Sequence, residues 1–116
     1  RILFTMAETF KRGGSTLATT SSTVLFTAPS SAGDVAIVLS CHVANKTNSS
    51  ANITVEVADS GGTAQTCLIY TAGVPANTSM EIVQNKVVLM AGEKLTATAD
   101  TADVFSITVS ALDITS

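Results

Sequence analysis

The chain has 116 residues, enough for one domain with a buried core. Aromatic residues make up only 4% and charged residues 13%, whereas the 18 threonines and 13 serines exceed a quarter of the chain. This composition favours strands and turns over helices, because the branched Cβ of Thr fits a pleated sheet and Ser favours turns. The net charge of −3 and the scattered basic residues argue against nucleic-acid binding, and no apolar run approaches the roughly 20 residues of a membrane helix.

Residues 1–14 differ from the rest and are interpreted as an N-terminal arm. Two of the four Phe and three of the six basic residues lie in its first twelve positions, among them Phe4, Phe10, Lys11 and Arg12. Gly13 and Gly14 follow, and they predict a flexible hinge because glycine has more backbone freedom than any other residue. The domain prediction is therefore an arm and hinge over residues 1–14 and a β-sandwich over residues 15–116. Met6 is an alternative start that the sequence leaves open.

The first two predicted strands lie on either side of a turn that contains Pro29. The first covers residues 24–27, and it ends there because the residue before a proline is restricted. The second covers residues 35–44, where apolar residues recur at every second position. Alternate side chains of a strand share a face, so this recurrence predicts one buried face. The set predicted to face the core is Val35, Ile37, Leu39, Cys41 and Val43.

Two more strands follow a loop rich in Asn, Ser and Thr at residues 45–50. The third strand is centred on residues 53–57, and the fourth runs from about residue 64 to residue 70. Between them, Asp59-Ser60-Gly61-Gly62 consists of residues that tolerate positive φ, which predicts a β-hairpin. Gly and Pro at residues 73–77 are predicted to break the chain again.

Four further strands complete the pattern, at residues 79–83, 87–90, 94–99 and 104–114. In the last strand the large apolar residues occupy odd-numbered positions up to Val109 and even-numbered positions from Leu112 onwards. One extra residue near Ser110-Ala111 would return the later residues to the same face, so a β-bulge is predicted there. Eight strands of this kind predict an all-β fold, a two-sheet antiparallel β-sandwich of the jelly-roll or Ig-like type.

No spacing typical of a catalytic, metal or cofactor site is present, so the chain is predicted not to be an enzyme. The single histidine, His42, lies in the middle of a strand and alternates with the apolar residues, so its side chain is expected on the solvent-facing side. Nucleophilic catalysis would need it beside a Ser or Cys. A hydrolase would have to combine it with Ser40 or Cys41, although neighbours on a strand point to opposite faces. Asp100 and Asp103 flank a turn but supply fewer oxygen ligands than a Ca²⁺ loop.

The two cysteines, Cys41 and Cys67, are predicted to be free thiols that pack as small apolar side chains. Two cysteines do not form a disulfide framework, and whether these two lie close together is left open. Four Asn-x-Ser/Thr sequons occur, but Ser and Thr are so frequent that glycosylation receives little weight.

Several segments resemble small structural proteins of tailed-bacteriophage particles. In that group a "leu-tyr-thr-ala-pro" strand precedes a long strand ending in "val-ala-asn", as residues 24–29 and 36–45 do here. Later text typical of the group is "val-pro-ala", "lys-leu-val-leu-glu-ala-gly-asp" and a final "leu-glu-ile-thr". The matching segments are residues 73–76, 86–95 and 106–115. Residues 6–11 are also similar to the start of such proteins in marine phages.

The resemblance spans roughly residues 6–115, with two departures from the usual text. Met90 stands where the group usually has an acid, and Asp113 stands where it usually has Glu. Members are β-sandwich components of the virion, so the resemblance implies a non-enzymatic structural protein, above all a capsid decoration or cement protein. A position at the neck or tail stays open. The alternative is a carbohydrate- or receptor-binding β-sandwich module of a fibre or cell-surface protein.

The resemblance further implies a place in the virion after assembly in the host cytoplasm, with the major capsid or neck and tail proteins as partners. A homo-oligomer is expected, with no nucleic-acid, membrane or cofactor binding. The candidate assembly contacts are Phe4, Phe10, Lys11 and Arg12. They lie in the arm, which would add a strand or place aromatic anchors on a neighbour. Removal of residues 1–12 is expected to weaken particle binding and to leave the domain folded.

Overall fold

The structure, a computed structural model, describes residues 7–83 and 86–115. These residues form nine strands and no helix. The strands are β1 (Ala7–Thr16), β2 (Thr23–Thr27), β3 (Val35–Asn45), β4 (Ala51–Ala58), β5 (Ala64–Val74), β6 (Ser79–Glu81), β7 (Val87–Met90), β8 (Lys94–Ala99) and β9 (Phe105–Thr115). The predicted strands are confirmed within about two residues at most ends. The exception is β5, which continues to Val74 through the predicted chain break.

The strands form two antiparallel sheets. Sheet A has the order β1-β9-β3, with β6 and β7 both paired to the other edge of β3, and sheet B has the order β2-β8-β4-β5. The chain changes sheet at nearly every connection, and this order is that of a jelly roll. The predicted two-sheet β-sandwich is therefore confirmed, and the strand order selects the jelly roll over the Ig-like arrangement.

The core lies between the two sheets and is made of small aliphatic side chains. In β4, Ile53, Val55 and Val57 are buried and the residues between them are only partly covered. Phe105 is the largest fully buried side chain among the described residues. Because aromatic residues are scarce, the core depends on many Val, Ile, Leu and Ala contacts, each buried methylene contributing about 0.8 kcal/mol.

A β-bulge lies where β3 pairs with β9, but the extra residue is in β3. Val38 pairs with Ala111 and Ser40 pairs with Ser110, so Leu39 is the inserted residue. The bulge predicted within β9 near Ser110-Ala111 is therefore wrong in its strand, although it lies opposite the observed one. β9 itself keeps its register here, and Ala111 stays buried.

The bulge also corrects the predicted buried face of β3. Beyond it Cys41 and Val43 face the core as predicted, whereas before it the buried residues are Ala36 and Val38. Val35, Ile37 and Leu39 are only partly buried. The prediction for these three is wrong because one inserted residue moves every following side chain to the opposite face.

The described part of the N-terminal arm is a strand of sheet A. β1 pairs with β9 residue by residue, from Ala7 with Thr115 to Thr16 with Ser106. Gly13 and Gly14 lie inside this strand. A Cβ on Gly13 would lie 2.6 Å from the carbonyl oxygen of Leu25, so this glycine allows β2 to approach. Whether residues 1–14 act as a separate unit stays a prediction.

Polar side chains hold two of the connecting turns. The predicted hairpin at residues 59–62 is present, with Gly62 at φ 90° and Asp59 Oδ1 accepting hydrogen bonds from the amides of Gly61 and Thr63. Asn45 is buried, and its Nδ2 donates to the carbonyl oxygens of Ser49 and Val74. Its side-chain amide is therefore occupied within the fold.

Candidate functional site

The outer face of sheet A, which points away from sheet B, carries a row of apolar side chains across four strands. Paired residues in antiparallel strands place their side chains on the same side. Phe10 of β1 pairs with Leu112 of β9, Leu112 with Ile37 of β3, and Ile37 with Val88 of β7. Phe10 is 78% exposed and Val88 54% exposed.

A second apolar row lies beside the first, two residues along each strand. Ile114 pairs with Val35, and Val35 pairs with Met90, which is 58% exposed. The row ends on β1 at Glu8, the partner of Ile114. We call the seven apolar residues of the two rows the apolar patch. Its residues on β1 and β7 are exposed, and those on β9 and β3 are partly buried. Contiguous apolar surface that water reaches is often an interaction site.

The remainder of the same face is polar. Ser40 pairs with Ser110, and His42 pairs with Thr108 on the far side of the bulge. The bulge at Leu39 therefore marks the boundary between the apolar and the polar half. On β1 this boundary row ends at Arg12, the exposed partner of Ser110.

The structure brings two of the four predicted contact residues to this face. Phe10 belongs to the apolar patch, and Arg12 lies beside it. Lys11 pairs with buried Ala111 and therefore points to the opposite side of β1. Phe4 lies outside the described residues. Sequence reasoning missed the other members of the patch, although the even parity of Leu112 and Ile114 was the signal for two of them.

Lys11 lies on the inner side of sheet A, close enough to Asp113 for its charge to act on that carboxyl. Asp113 of β9 is half-buried, and its Oδ1 is enclosed without a hydrogen-bond partner among the described residues. Burial raises the pKa of the Asp113 carboxyl; the Lys11 charge opposes this rise, and the Asp34 charge adds to it. The Lys11 ammonium group thus offsets part of the free-energy cost of burying the ionised Asp113 carboxylate.

Glu81 fills the gap between β6 and β7 on the edge of β3. Its Oε2 accepts hydrogen bonds from the amides of Cys41 at 2.7 Å and Val83 at 3.1 Å. Burial and the Glu81 charge raise the pKa of the Cys41 thiol to about 12, so this thiol stays protonated and is a poor nucleophile. The Glu81 carboxylate therefore has a structural role: it accepts backbone hydrogen bonds at the stretch of β3 that lies between its pairing with β7 and its pairing with β6.

Both cysteines are free, as predicted, but only Cys41 is buried. Cys67 is exposed on β5, where the prediction of an apolar packing role is wrong. Its Sγ lies 3.5 Å from Glu56 Oε2. Desolvation, the hydrogen bond to Glu56 and the charge of Glu56 raise the pKa of the Cys67 thiol. The two thiols belong to different sheets, β3 in sheet A and β5 in sheet B.

His42 is exposed on the outer face, as predicted, and pairs with Glu81 of β6. Cys41 points into the core, and no hydrogen bond among those of the described residues joins His42 to Ser40. Within the same residues, no three His, Cys, Asp or Glu side chains group as metal ligands would. Asp100 Oδ1 instead accepts hydrogen bonds from the Asn52 amide and the Thr101 hydroxyl.

A shallow pocket of about 130 Å³ opens on the outer face of sheet B. Thr54, Thr71 and Thr98 lie in its wall. Pockets that hold drug-sized ligands are usually about 300–1,000 Å³, so this pocket is below that range. Glycan binding stays a prediction.

The described part of the chain contains no helix that is long and apolar enough to cross a membrane.

Comparison with known proteins identifies no family. Neither a family model nor a curated protein matches the chain. Among solved structures, it is similar to a chain from Bacillus endospore appendages, which are described as a novel family of disulfide-linked pili. The two chains are 12% identical with a TM-score of 0.46, and the match covers 95% of this chain and 84% of the other. At this level the similarity supports no statement about function, and the phage resemblance stays a prediction.

Proposed function

We propose that this chain is a non-enzymatic structural protein that assembles by docking the apolar patch against protein. The single observation that carries the proposal is the pair of apolar rows across β1, β9, β3 and β7. Isolated exposed apolar residues are common on protein surfaces, but a contiguous set of seven on one sheet face, three of them exposed and four partly buried, is not. Their burial on association would supply the main favourable free energy.

The surroundings of the patch support a docking role. Next to the apolar rows lie Ser40, Ser110 and Thr108, which are small and uncharged. A partner that covers the apolar rows and these three residues would desolvate few charges, and taking a charge out of water is costly. The face is also nearly regular sheet, which presents its side chains on a rigid scaffold.

The finer proposal is a tailed-phage virion protein, above all a decoration protein on the capsid surface. It is supported by the resemblance of residues 24–29, 36–45, 73–76, 86–95 and 106–115 to such proteins, and by the jelly-roll fold, which is common in viral capsid proteins. A place at the neck or tail is the alternative within the same class.

Particle binding with a matched pair of variants tests this proposal. Purified chain is added to particles of the encoding phage that lack it, and bound chain is measured by co-sedimentation. Val88→Lys in the patch is expected to weaken binding at least tenfold, because it buries an unpaired charge. Val24→Lys is the control, since Val24 is a similarly exposed strand valine, 48% against 54%, on sheet B.

The outcomes separate the two levels of the proposal. About one copy per capsid subunit supports decoration, and roughly six or twelve copies per particle supports the neck or tail. Absence of binding to particles would overturn the phage proposal. Equal binding by Val88→Lys and wild type would overturn the docking role of the patch.

A further inference from the structure

We infer that the apolar patch is covered by the same patch of a second copy, with the two A sheets packed face to face about a two-fold axis. This inference rests on the proposed function, in which the patch is a protein-docking surface. It adds the identity of one partner and the orientation of the contact. The evidence is the arrangement of charges around the patch.

Glu8 and Arg12 are placed symmetrically about Phe10 on the same face of β1. Each lies two residues from Phe10, which is about 7 Å along a strand. Both are exposed, and their β9 partners are Ile114 and Ser110. The outer edge of the patch thus carries a negative charge at one end and a positive charge at the other.

A two-fold axis along the Phe10 row makes this arrangement complementary to itself. Such an axis runs across the strands between the two sheets, so Phe10 faces Phe10 of the second copy. The same rotation places Glu8 of each copy opposite Arg12 of the other. The contact then contains two opposite-charge pairs at its rim, and a shift by one row would lose both. An isologous interface of this kind closes at the dimer.

The side-chain sizes fit the same axis. The rotation that pairs Glu8 with Arg12 also places the second apolar row opposite the row of Ser40 and Ser110. Large side chains such as Ile114 therefore meet small ones, which lets the two faces interdigitate at the roughly 10 Å spacing of packed sheets. Large-against-large stacking is confined to the row on the axis.

The width of the patch sets the strength of the contact. Four strands spaced about 4.8 Å apart and about five residues along each give a planar footprint of roughly 300 Å² per copy, well below the roughly 800 Å² per partner of a standard specific interface. Association is therefore expected at micromolar or higher concentration, which a crowded assembly surface supplies. The dimer uses the same patch as the docking contact of the proposed function, so a chain exchanges the dimer contact for the particle contact when it binds a particle.

Sedimentation velocity from about 5 to 500 µM tests the inference on the full chain. Wild type is expected to show a concentration-dependent monomer–dimer equilibrium. Val88→Lys is expected to raise the dissociation constant at least tenfold, and the matched Val24→Lys to leave it within twofold. A chain that stays monomeric at 500 µM, or a dimer insensitive to Val88→Lys, would overturn the inference.

A charge swap tests the orientation. Glu8→Arg and Arg12→Glu each create like-charge contacts across the axis and are expected to weaken dimerisation several-fold. The double variant restores opposite charges and is expected to recover wild-type association. Failure of this rescue, with both single variants folded by circular dichroism, would overturn the two-fold geometry. A monomer whose particle binding still depends on Val88 would refute the dimer and leave the proposed function intact.

Discussion

Asp113 shows how a single residue near the end of a strand sets a cost that the rest of the fold offsets. It pairs with Thr9 and Ala36, and its enclosed Oδ1 has no hydrogen-bond partner among the described residues. Lys11, on the same side of β1, is the group that lowers the pKa of this carboxyl, whereas burial raises it. An acid whose folded pKa exceeds its unfolded value binds more protons in the folded state. The free energy of unfolding therefore falls as pH rises from the unfolded pKa of Asp113 to its higher folded pKa.

Asp113→Asn is expected to raise the melting temperature by a few degrees at pH 7 and to have little effect near pH 3. The amide is neutral at both values, so it removes the cost of ionising a poorly solvated carboxyl. Thermal melts by circular dichroism across this pH range provide the measurement. The exposed Asp103→Asn is the matched control and is expected to change little at either pH. A pH-independent change at Asp113 would contradict the assignment.

At the scale of elements, the contact of β1 with β2 depends on the absence of one side chain. A Cβ at Gly13 would meet the Leu25 carbonyl oxygen at 2.6 Å and the Phe26 ring at 3.2 Å. The Leu25 carbonyl belongs to the backbone of β2, so it cannot move aside for a Cβ as the end of a flexible side chain could. β1 and β2, one edge strand from each sheet, therefore approach each other only because position 13 is glycine.

Gly13→Ala is expected to destabilise the fold by about 2 kcal/mol, since the added methyl group forces β2 away from β1. Urea unfolding monitored by circular dichroism measures the free energy of unfolding. Gly61→Ala is the control, because its Cβ would meet only Asp59 Oδ1 at 3.4 Å and its φ is not positive. Equal effects of the two substitutions would show that the approach at Gly13 is not required.

The elements also show where sequence reasoning stopped. Alternation located the strands from β2 to β9 because one buried face leaves a period of two in the sequence. It did not locate β1, whose residues Phe10, Lys11 and Arg12 are all exposed and therefore carry no such period. It also placed the bulge in β9 on the assumption that Leu112 and Ile114 must face the core.

At the scale of the whole molecule, the N-terminal segment serves both folding and the surface. Ala7–Thr16 completes sheet A by covering the edge of β9, and it also supplies Phe10 and the two charges beside the patch. Deletion of residues 1–12 would therefore change the stability of sheet A as well as docking, so it does not test docking alone, even if the domain stays folded as the sequence predicts.

Deletion of residues 1–12 is expected to lower the melting temperature by roughly 10 °C or more, because it leaves half of β9 as an unpaired edge. Phe10→Thr keeps the backbone pairing and removes only a side chain that is 78% exposed. It is expected to melt within a few degrees of wild type, as measured by differential scanning calorimetry. A deletion variant as stable as Phe10→Thr would show that β1 contributes little to the fold.

The sequence by itself determined the class of the fold, because a period of two and a Thr- and Ser-rich composition leave few alternatives to a β-sandwich. It also showed the change of parity before Leu112. Only the tertiary structure decided what that change means. An inserted residue can turn the later apolar residues back towards the core, or those residues can stay on the outer face as apolar surface. The local sequence does not distinguish these two outcomes. The choice depends on register with a distant strand: insertion of Leu39 in β3 keeps Ala111 buried, and Ile37 and Leu112 are left together on the outer face.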